Sequence, residues 1–156
     1  QNTEVIIGQL LRARGLKLAT AESCTGGLIA DRITDVPGSS EYFLGGFVSY
    51  AYEAKVACLG VSWDTLQKHG AVSRETVLEM ARGARKALGA DIAVSVSGIA
   101  GPGGGLPEKP VGTTWIGLVT PEGESAEVFC WKGDRRKNKE ESAQQALKMV
   151  IEYLEK

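Results

Sequence analysis

A run of small and polar residues, Ala21-Glu22-Ser23-Cys24-Thr25-Gly26-Gly27, follows an alternating apolar segment and precedes a stretch of helical character from Leu28 to Thr34. A strand that turns so tightly into a helix leaves backbone N–H groups free at the helix start, where the macrodipole favours negative charge. Such a loop can hold a phosphate or a developing oxyanion. It can also expose Ser23 as a nucleophile, as the strained serine turns of hydrolases do, although the GxSxG pattern is missing. Glycines in such a turn can equally serve geometry alone.

A serine that attacks a carbonyl needs a base, and the single histidine, His69, has no orienting carboxylate in its sequence neighbourhood. It precedes the helix that Ser73 can cap, and a structural role in that entry turn is expected. The remaining bases are carboxylates, tyrosines and lysines. Tyr50-Ala51-Tyr52-Glu53-Ala54-Lys55 leaves a strand end and enters a helix, on the edge of an α/β sheet where the Ser23 loop should also lie. A Ser23–Lys55–Tyr50 constellation is therefore geometrically available. For Lys55 to accept a proton near neutrality its pKa must fall by roughly three units from about 10.4, a cost of about 4 kcal/mol that burial and nearby cations can supply. Tyr50 could relay a proton or hold the lysine, and a neighbouring arginine would favour both roles. The plain alternative leaves Lys55 as one solvated lysine among many. A Glu22–Lys55–Cys24 thiol mechanism is the second possibility, because a helix N-terminus lowers a thiol pKa; a small buried cysteine behind the loop is the commoner outcome.

Further along, Ser97-Gly98-Ile99-Ala100-Gly101-Pro102-Gly103-Gly104-Gly105 follows a strand without opening a helix, so it is no dinucleotide fingerprint. Its glycines allow backbone to approach a ligand closely, and Ser97 can donate to that ligand. Arg135, in Gly133-Asp134-Arg135, would suit a phosphate through its forked donors.

The elements that must carry these residues follow from periodicity. Ile6, Leu10 and Ala13 give a first helix ending at Gly15; Leu16 to Thr20 gives a strand; Phe47 to Tyr50 gives another, leading into a helix from about Glu53 to Leu59. Val77, Met80, Ala81, Ala84 and Leu88 share one face of a helix capped by Ser73. Ile92 to Val96 reads as a central strand, Thr113 to Thr120 and Ala126 to Trp131 as a hairpin about Pro121-Glu122-Gly123, and the last helix starts near Lys137. This order predicts a three-layer α/β/α sandwich with a mixed central sheet, in a single domain over residues 1–156.

Composition narrows the class. The 156 residues carry 18 Lys+Arg against 19 Asp+Glu, so no global basic field exists for nucleic acid or an anionic membrane. No apolar run approaches the roughly 20 residues of a spanning helix. The three cysteines, Cys24, Cys58 and Cys130, form no CxxC pair and suggest neither a disulfide framework nor a zinc site; a reducing cytoplasm fits best. The chain begins at Gln1 with no signal-peptide pattern, compatible with a processed terminus or a piece of a longer protein.

Taken together, Ala21–Gly27, Glu53-Ala54-Lys55, Ser97–Pro102, Glu108-Lys109-Pro110-Val111-Gly112-Thr113 and Gly133-Asp134-Arg135 closely resemble the CinA C-terminal domain family, the nicotinamide mononucleotide amidohydrolases. The resemblance implies hydrolysis of the carboxamide of nicotinamide mononucleotide to nicotinic acid mononucleotide and ammonia, in pyridine nucleotide salvage. It implies Ser23 as nucleophile with Lys55 and Tyr50 as partners, and substrate contacts from Thr25, Gly26, Gly27, Ser97, Gly101 and Arg135. No metal or organic cofactor is implied; the expected partners are the mononucleotide and further copies of the chain, a dimer being favoured. Two stretches depart from the family pattern: Tyr52 stands where an asparagine is usual, and Asn138-Lys139 where Ile-Arg tends to follow. The latter predicts a weaker second phosphate anchor, lysine lacking the planar fork of arginine. Both departures leave room for a non-catalytic, nucleotide-binding, competence-associated module.

Overall fold

The structure is a computed structural model that describes residues 2–156; Gln1, on which the reading of a processed terminus rests, lies outside them. In chain order the elements are α1 (Thr3–Arg14), β1 (Leu18–Glu22), α2 (Leu28–Thr34), a 3₁₀ turn (Ser39–Glu41), β2 (Phe43–Val48), α3 (Tyr52–Leu59), α4 (Trp63–His69), α5 (Arg74–Leu88), β3 (Ile92–Gly98), β4 (Thr113–Thr120), β5 (Gly123–Cys130) and α6 (Arg135–Leu154). The strands lie in the order β2-β1-β3-β4-β5. β1 runs parallel to β2 and to β3, while β4 is antiparallel to both β3 and β5. The sheet is thus mixed, as expected, and β4–β5 is the expected hairpin.

Alternation along the buried strands sends side chains to two separate cores. Leu18, Ile92, Val94 and Val96 pack with Ile7, Leu11, Ile29, Ile33, Leu147 and Val150 from α1, α2 and α6. Ala19, Ala21 and Ala93 face the other way, toward Val77, Met80 and Ala84 of α5 and Leu59 of α3. The alanines on that face let α5 sit close to the sheet. Close approach recurs between helices: a Cβ on Gly83 of α5 would stand 1.9 Å from the Leu59 carbonyl oxygen at the end of α3, so only glycine fits.

Several expected boundaries move. α6 begins at Arg135 rather than Lys137, with the Asp134 side chain accepting the Lys137 N–H at 2.8 Å as its cap. β1 runs two residues further than expected, carrying Glu22 to the very edge of the sheet. β2 starts at Phe43, its Gly45 and Gly46 disguising the strand. α4 was not anticipated; it is seven residues long and buries only Leu66, so it has almost no apolar periodicity to read. His69 therefore ends one helix as well as preceding the next.

Candidate active site

β1, β2 and β3 all deliver their carboxyl ends to one edge, beside the point where the chain order reverses across the sheet, the place where doubly wound folds bind ligands. Each end contributes a loop. Ser23 follows β1, Ser49 and Tyr50 follow β2, and Ser97 and Gly98 end β3. Backbone bonds lock these ends together: the Ser23 N–H donates to the Val96 carbonyl at 3.0 Å, and the Ser49 N–H to the Glu22 carbonyl at 2.8 Å.

Lys55, on the first turn of α3, reaches back under this edge and is completely buried. Its Nζ lies 2.8 Å from Ser23 Oγ, 2.8 Å from the Ser49 carbonyl oxygen and 3.0 Å from that of Tyr50. A neutral amine has two N–H groups and one lone pair. With the two carbonyls accepting the two N–H groups, the lone pair is left for the Ser23 hydroxyl proton. Burial pushes the Lys55 pKa down to about 8, against a small opposing pull from the Cys24 thiol. The solvated-lysine alternative is thus set aside by geometry.

Cys24 and Glu22, the further parts of the thiol alternative, are both buried. Cys24 packs in the α1/α2/α6 core, and burial pushes its pKa up to about 11. The Glu22 carboxylate is already committed: Oε1 accepts Thr25 Oγ1–H at 2.6 Å and Ile29 N–H at 2.9 Å, and Oε2 accepts Ala30 N–H at 3.0 Å. That carboxylate occupies the start of α2, where a bound phosphate was considered. In the turn itself the Gly26 N–H donates to the Ser23 carbonyl at 3.1 Å. Among the described residues the Thr25 and Gly27 amides donate to no other group of the chain.

A cavity of about 190 Å³ opens above the pair, lined by Ser23, Cys24, Tyr50, Lys55, Ala71, Val72, Ser97, Gly98, Ala100 and Arg135. Of the residues singled out in the sequence, it gathers Ser23, Cys24, Lys55, Tyr50, Ser97 and Arg135. Thr25, Gly26, Gly27 and Gly101 are not on its wall, and Gly101 instead presents its carbonyl to Arg135 Nη1 at 2.7 Å. Arg135 Nη2 donates to the Tyr50 phenol oxygen at 3.0 Å, so the arginine ties the β3 loop to the β2 loop across the mouth. The Tyr50 side chain is 59% exposed; what touches Lys55 is its backbone carbonyl. Ala71 and Val72 were missed, lying in a turn whose only sequence signal was the Ser73 cap.

The two departures fall elsewhere. Tyr52 packs against Trp63 with ring centroids 6.5 Å apart, off the cavity wall. Asn138 is buried: its Oδ1 accepts the Gly133 N–H at 3.0 Å and its Nδ2 donates to the Ala100 carbonyl at 3.0 Å, bolting the β3 loop to α6. His69 has a carboxylate neighbour after all, Glu75 Oε1 at 3.7 Å, but both are half exposed and neither lines the cavity. Among the described residues no cluster of three or more His, Cys, Asp or Glu could hold a metal ion, and no helix is long and apolar enough to cross a membrane.

Sheet and site together define a doubly wound α/β protein with a serine–lysine pair at its carboxyl edge. Its residues 1–154 match the CinA C-terminal domain model, and the chain belongs to that family. It is 56% identical over 130 residues to the nicotinamide-nucleotide amidohydrolase PncC of Escherichia coli, covering 83% of this chain and 79% of that protein. It is 53% identical over 152 residues to a CinA-like protein of Chloroherpeton thalassium, covering 95% of this chain but only 36% of that longer protein. Among solved structures, competence damage-inducible protein A of Klebsiella pneumoniae superposes with a TM-score of 0.94 at 36% identity, over 99% of this chain and 98% of that one. The competence/damage inducible protein CihA of Agrobacterium tumefaciens superposes with a TM-score of 0.93 at 40% identity, over 99% and 96%.

Proposed function

We propose that this chain is a nicotinamide-nucleotide amidohydrolase that converts nicotinamide mononucleotide to nicotinic acid mononucleotide and ammonia, with residues 1–156 acting as one catalytic domain. The observation that carries the reading is the buried Lys55 amine at 2.8 Å from Ser23 Oγ, its proton affinity lowered toward neutrality. The name of the E. coli relative supplies the substrate class.

In the first half-reaction Ser23 Oγ attacks the carboxamide carbon while its proton passes to Lys55 Nζ. The tetrahedral oxyanion is assigned to the Thr25 and Gly27 amides of the turn after Ser23, which donate to no other group among the described residues. Lys55 returns the proton to the amide nitrogen, the C–N bond breaks and ammonia leaves. Water then attacks the acyl-enzyme, Lys55 takes one of its protons, and nicotinic acid mononucleotide departs as Ser23 Oγ regains a hydrogen. The cavity has room for a pyridine carboxamide between Ala71, Val72 and Ala100, with the Ser97 hydroxyl available to the amide. The ribose phosphate extends past the rim, where Tyr50 and Arg135 stand. In this reading Tyr50 orders the rim and holds Lys55 through its carbonyl, and its phenol, polarised by Arg135, faces the substrate.

The binding-only alternative drew on Tyr52 and Asn138, and both lie off the cavity wall. The free thiols suit a cytoplasmic setting, and assembly as a homo-oligomer belongs to the same reading. The test is ammonia release from nicotinamide mononucleotide, compared with free nicotinamide and glutamine. Ser23→Ala should abolish it and Cys24→Ala should spare it. Loss in the cysteine variant alone would overturn the serine assignment, and tight calorimetric binding without ammonia would favour the module.

A further inference from the structure

Resting on the serine–lysine reading above, we propose that the Glu22 side chain is a positioning residue for the Ser23 nucleophile. Glu22 ends β1 and immediately precedes Ser23, and it is 1% exposed. A buried carboxylate is costly unless its lone pairs are met by donors. Here three are supplied, and they come from the hydroxyl of Thr25 and the amides of Ile29 and Ala30. One rigid group therefore ties the residue before the nucleophile to the turn after it and to the first turn of α2. That helix has no side-chain cap of its own, because its N-cap is Gly27. Glu22 meets two of its orphan donors from inside the fold.

The consequence is a triangulated Ser23. Its backbone is held on one side by β1 and β3 and on the other by a turn that cannot slide without breaking a bond to Glu22. The main chain of Glu22 reaches the other catalytic partner as well: its carbonyl accepts the Ser49 N–H, and the Ser49 carbonyl accepts Lys55 Nζ. Glu22 is not on the cavity wall, and burial and the Cys24 thiol are the influences on the Lys55 pKa. Its action on the reaction is therefore through place and not through contact with substrate or through the charge of the lysine.

Glu22→Gln is nearly isosteric but turns one oxygen into an NH₂ that must face an N–H or O–H donor, so at least one of the three bonds is lost. A misplacement of about 1 Å in an attacking atom costs roughly 10²-fold in rate. The experiment measures three things on the variant and the wild type: ammonia release from nicotinamide mononucleotide, the rate of Ser23 labelling by a fluorophosphonate, and the pH profile of kcat/KM. Expected are a fall in kcat of about 10–100-fold, a parallel fall in labelling, KM within threefold, and an unmoved pH limb. Thr25→Val, which removes one donor and keeps the carboxylate, should show the same pattern at smaller size and serves if Glu22→Gln does not fold. Unchanged labelling overturns the proposal, as does a pH limb that moves by more than half a unit, which would mean that Glu22 acts on the lysine's charge. A wild type that labels at Ser23 but releases no ammonia removes the substrate and leaves the positioning role standing on the labelling rates. A wild type that neither labels nor turns over removes both.

Discussion

Replacing Lys55 by methionine should abolish turnover and alter stability in a way that depends on pH. In the folded chain the amine has a pKa of about 8 against an ordinary 10.5, a difference worth about 3.5 kcal/mol at roughly 1.4 kcal/mol per unit. The sign follows from proton counting. Between these two values the unfolded chain holds more protons than the folded one, so stability rises with pH across that window. Below about pH 8 both states are charged, and the folded state bears the full cost of a buried ammonium. Methionine has no proton to bind, so the wild type should gain on the variant by about 2.5 kcal/mol as pH rises from 7 to 10. Other ionisable groups cancel in the difference between the two proteins. A constant offset remains, because methionine leaves the Ser49 and Tyr50 carbonyls without their donor, at about 1–3 kcal/mol each when such acceptors stay buried. The assay is urea unfolding of both proteins at intervals between pH 7 and 10. A difference that stays flat across that range would refute the claim that burial lowers the lysine pKa, whatever the activity of the variant.

The same value predicts that kcat/KM rises about tenfold per pH unit below pH 8 and levels above it, because only the neutral amine can take the serine proton. Arg135→Gln should leave that limb in place while raising KM, since Arg135 contacts Tyr50 and Gly101 and not Lys55; a limb displaced by a full unit would contradict this. Iodoacetamide at pH 7 should modify the exposed Cys58 and Cys130 and spare Cys24, whose pKa of about 11 leaves only about one thiolate in 10⁴, as peptide mapping by mass spectrometry would show. Asn138→Ala should cost about 2 kcal/mol in urea unfolding through two lost buried hydrogen bonds and raise KM by loosening Ala100; unchanged stability would mean that the bolt is idle.

What could be read from the sequence divides along burial. β3 was legible because Ile92, Val94 and Val96 alternate with small residues and the strand is covered on both faces. β2 was half legible because it is an edge strand with two glycines at its centre, and one of them is required: a Cβ on Gly46 would stand 2.1 Å from Thr20 Oγ1 on β1. That steric demand comes from a residue 26 positions away and leaves no local mark. Asn138 shows the same limit in the site. As a departure from the family pattern it leaves room for a binding-only module, whereas in the fold it holds two backbone segments together, and no spacing rule announces such a bond.

The lysine is the instructive case, because its place beside Ser23 is legible in the sequence and the cause of its lowered pKa only in part. Burial and neighbouring cations were both available as reasons for a depressed pKa. Arg135 is the cation at the rim, yet its guanidinium is turned to the Tyr50 phenol and the Gly101 carbonyl and does not figure among the influences on Lys55. Dehydration alone drives the shift. It follows from topology: only three residues separate the end of β2 from the start of α3, so Lys55 on its first turn is buried, and the Ser49 and Tyr50 carbonyls of the connecting segment take its N–H groups without adding charge. Neutral acceptors hold an amine in place while contributing far less than a carboxylate to retaining its proton, which is what a general base near pH 7 requires. A carboxylate in place of either carbonyl would have raised the lysine pKa and silenced it. Glu22, the one carboxylate buried among the described residues, has both of its oxygens taken by Thr25 of the turn and by the Ile29 and Ala30 amides of α2, and makes no hydrogen bond to Lys55.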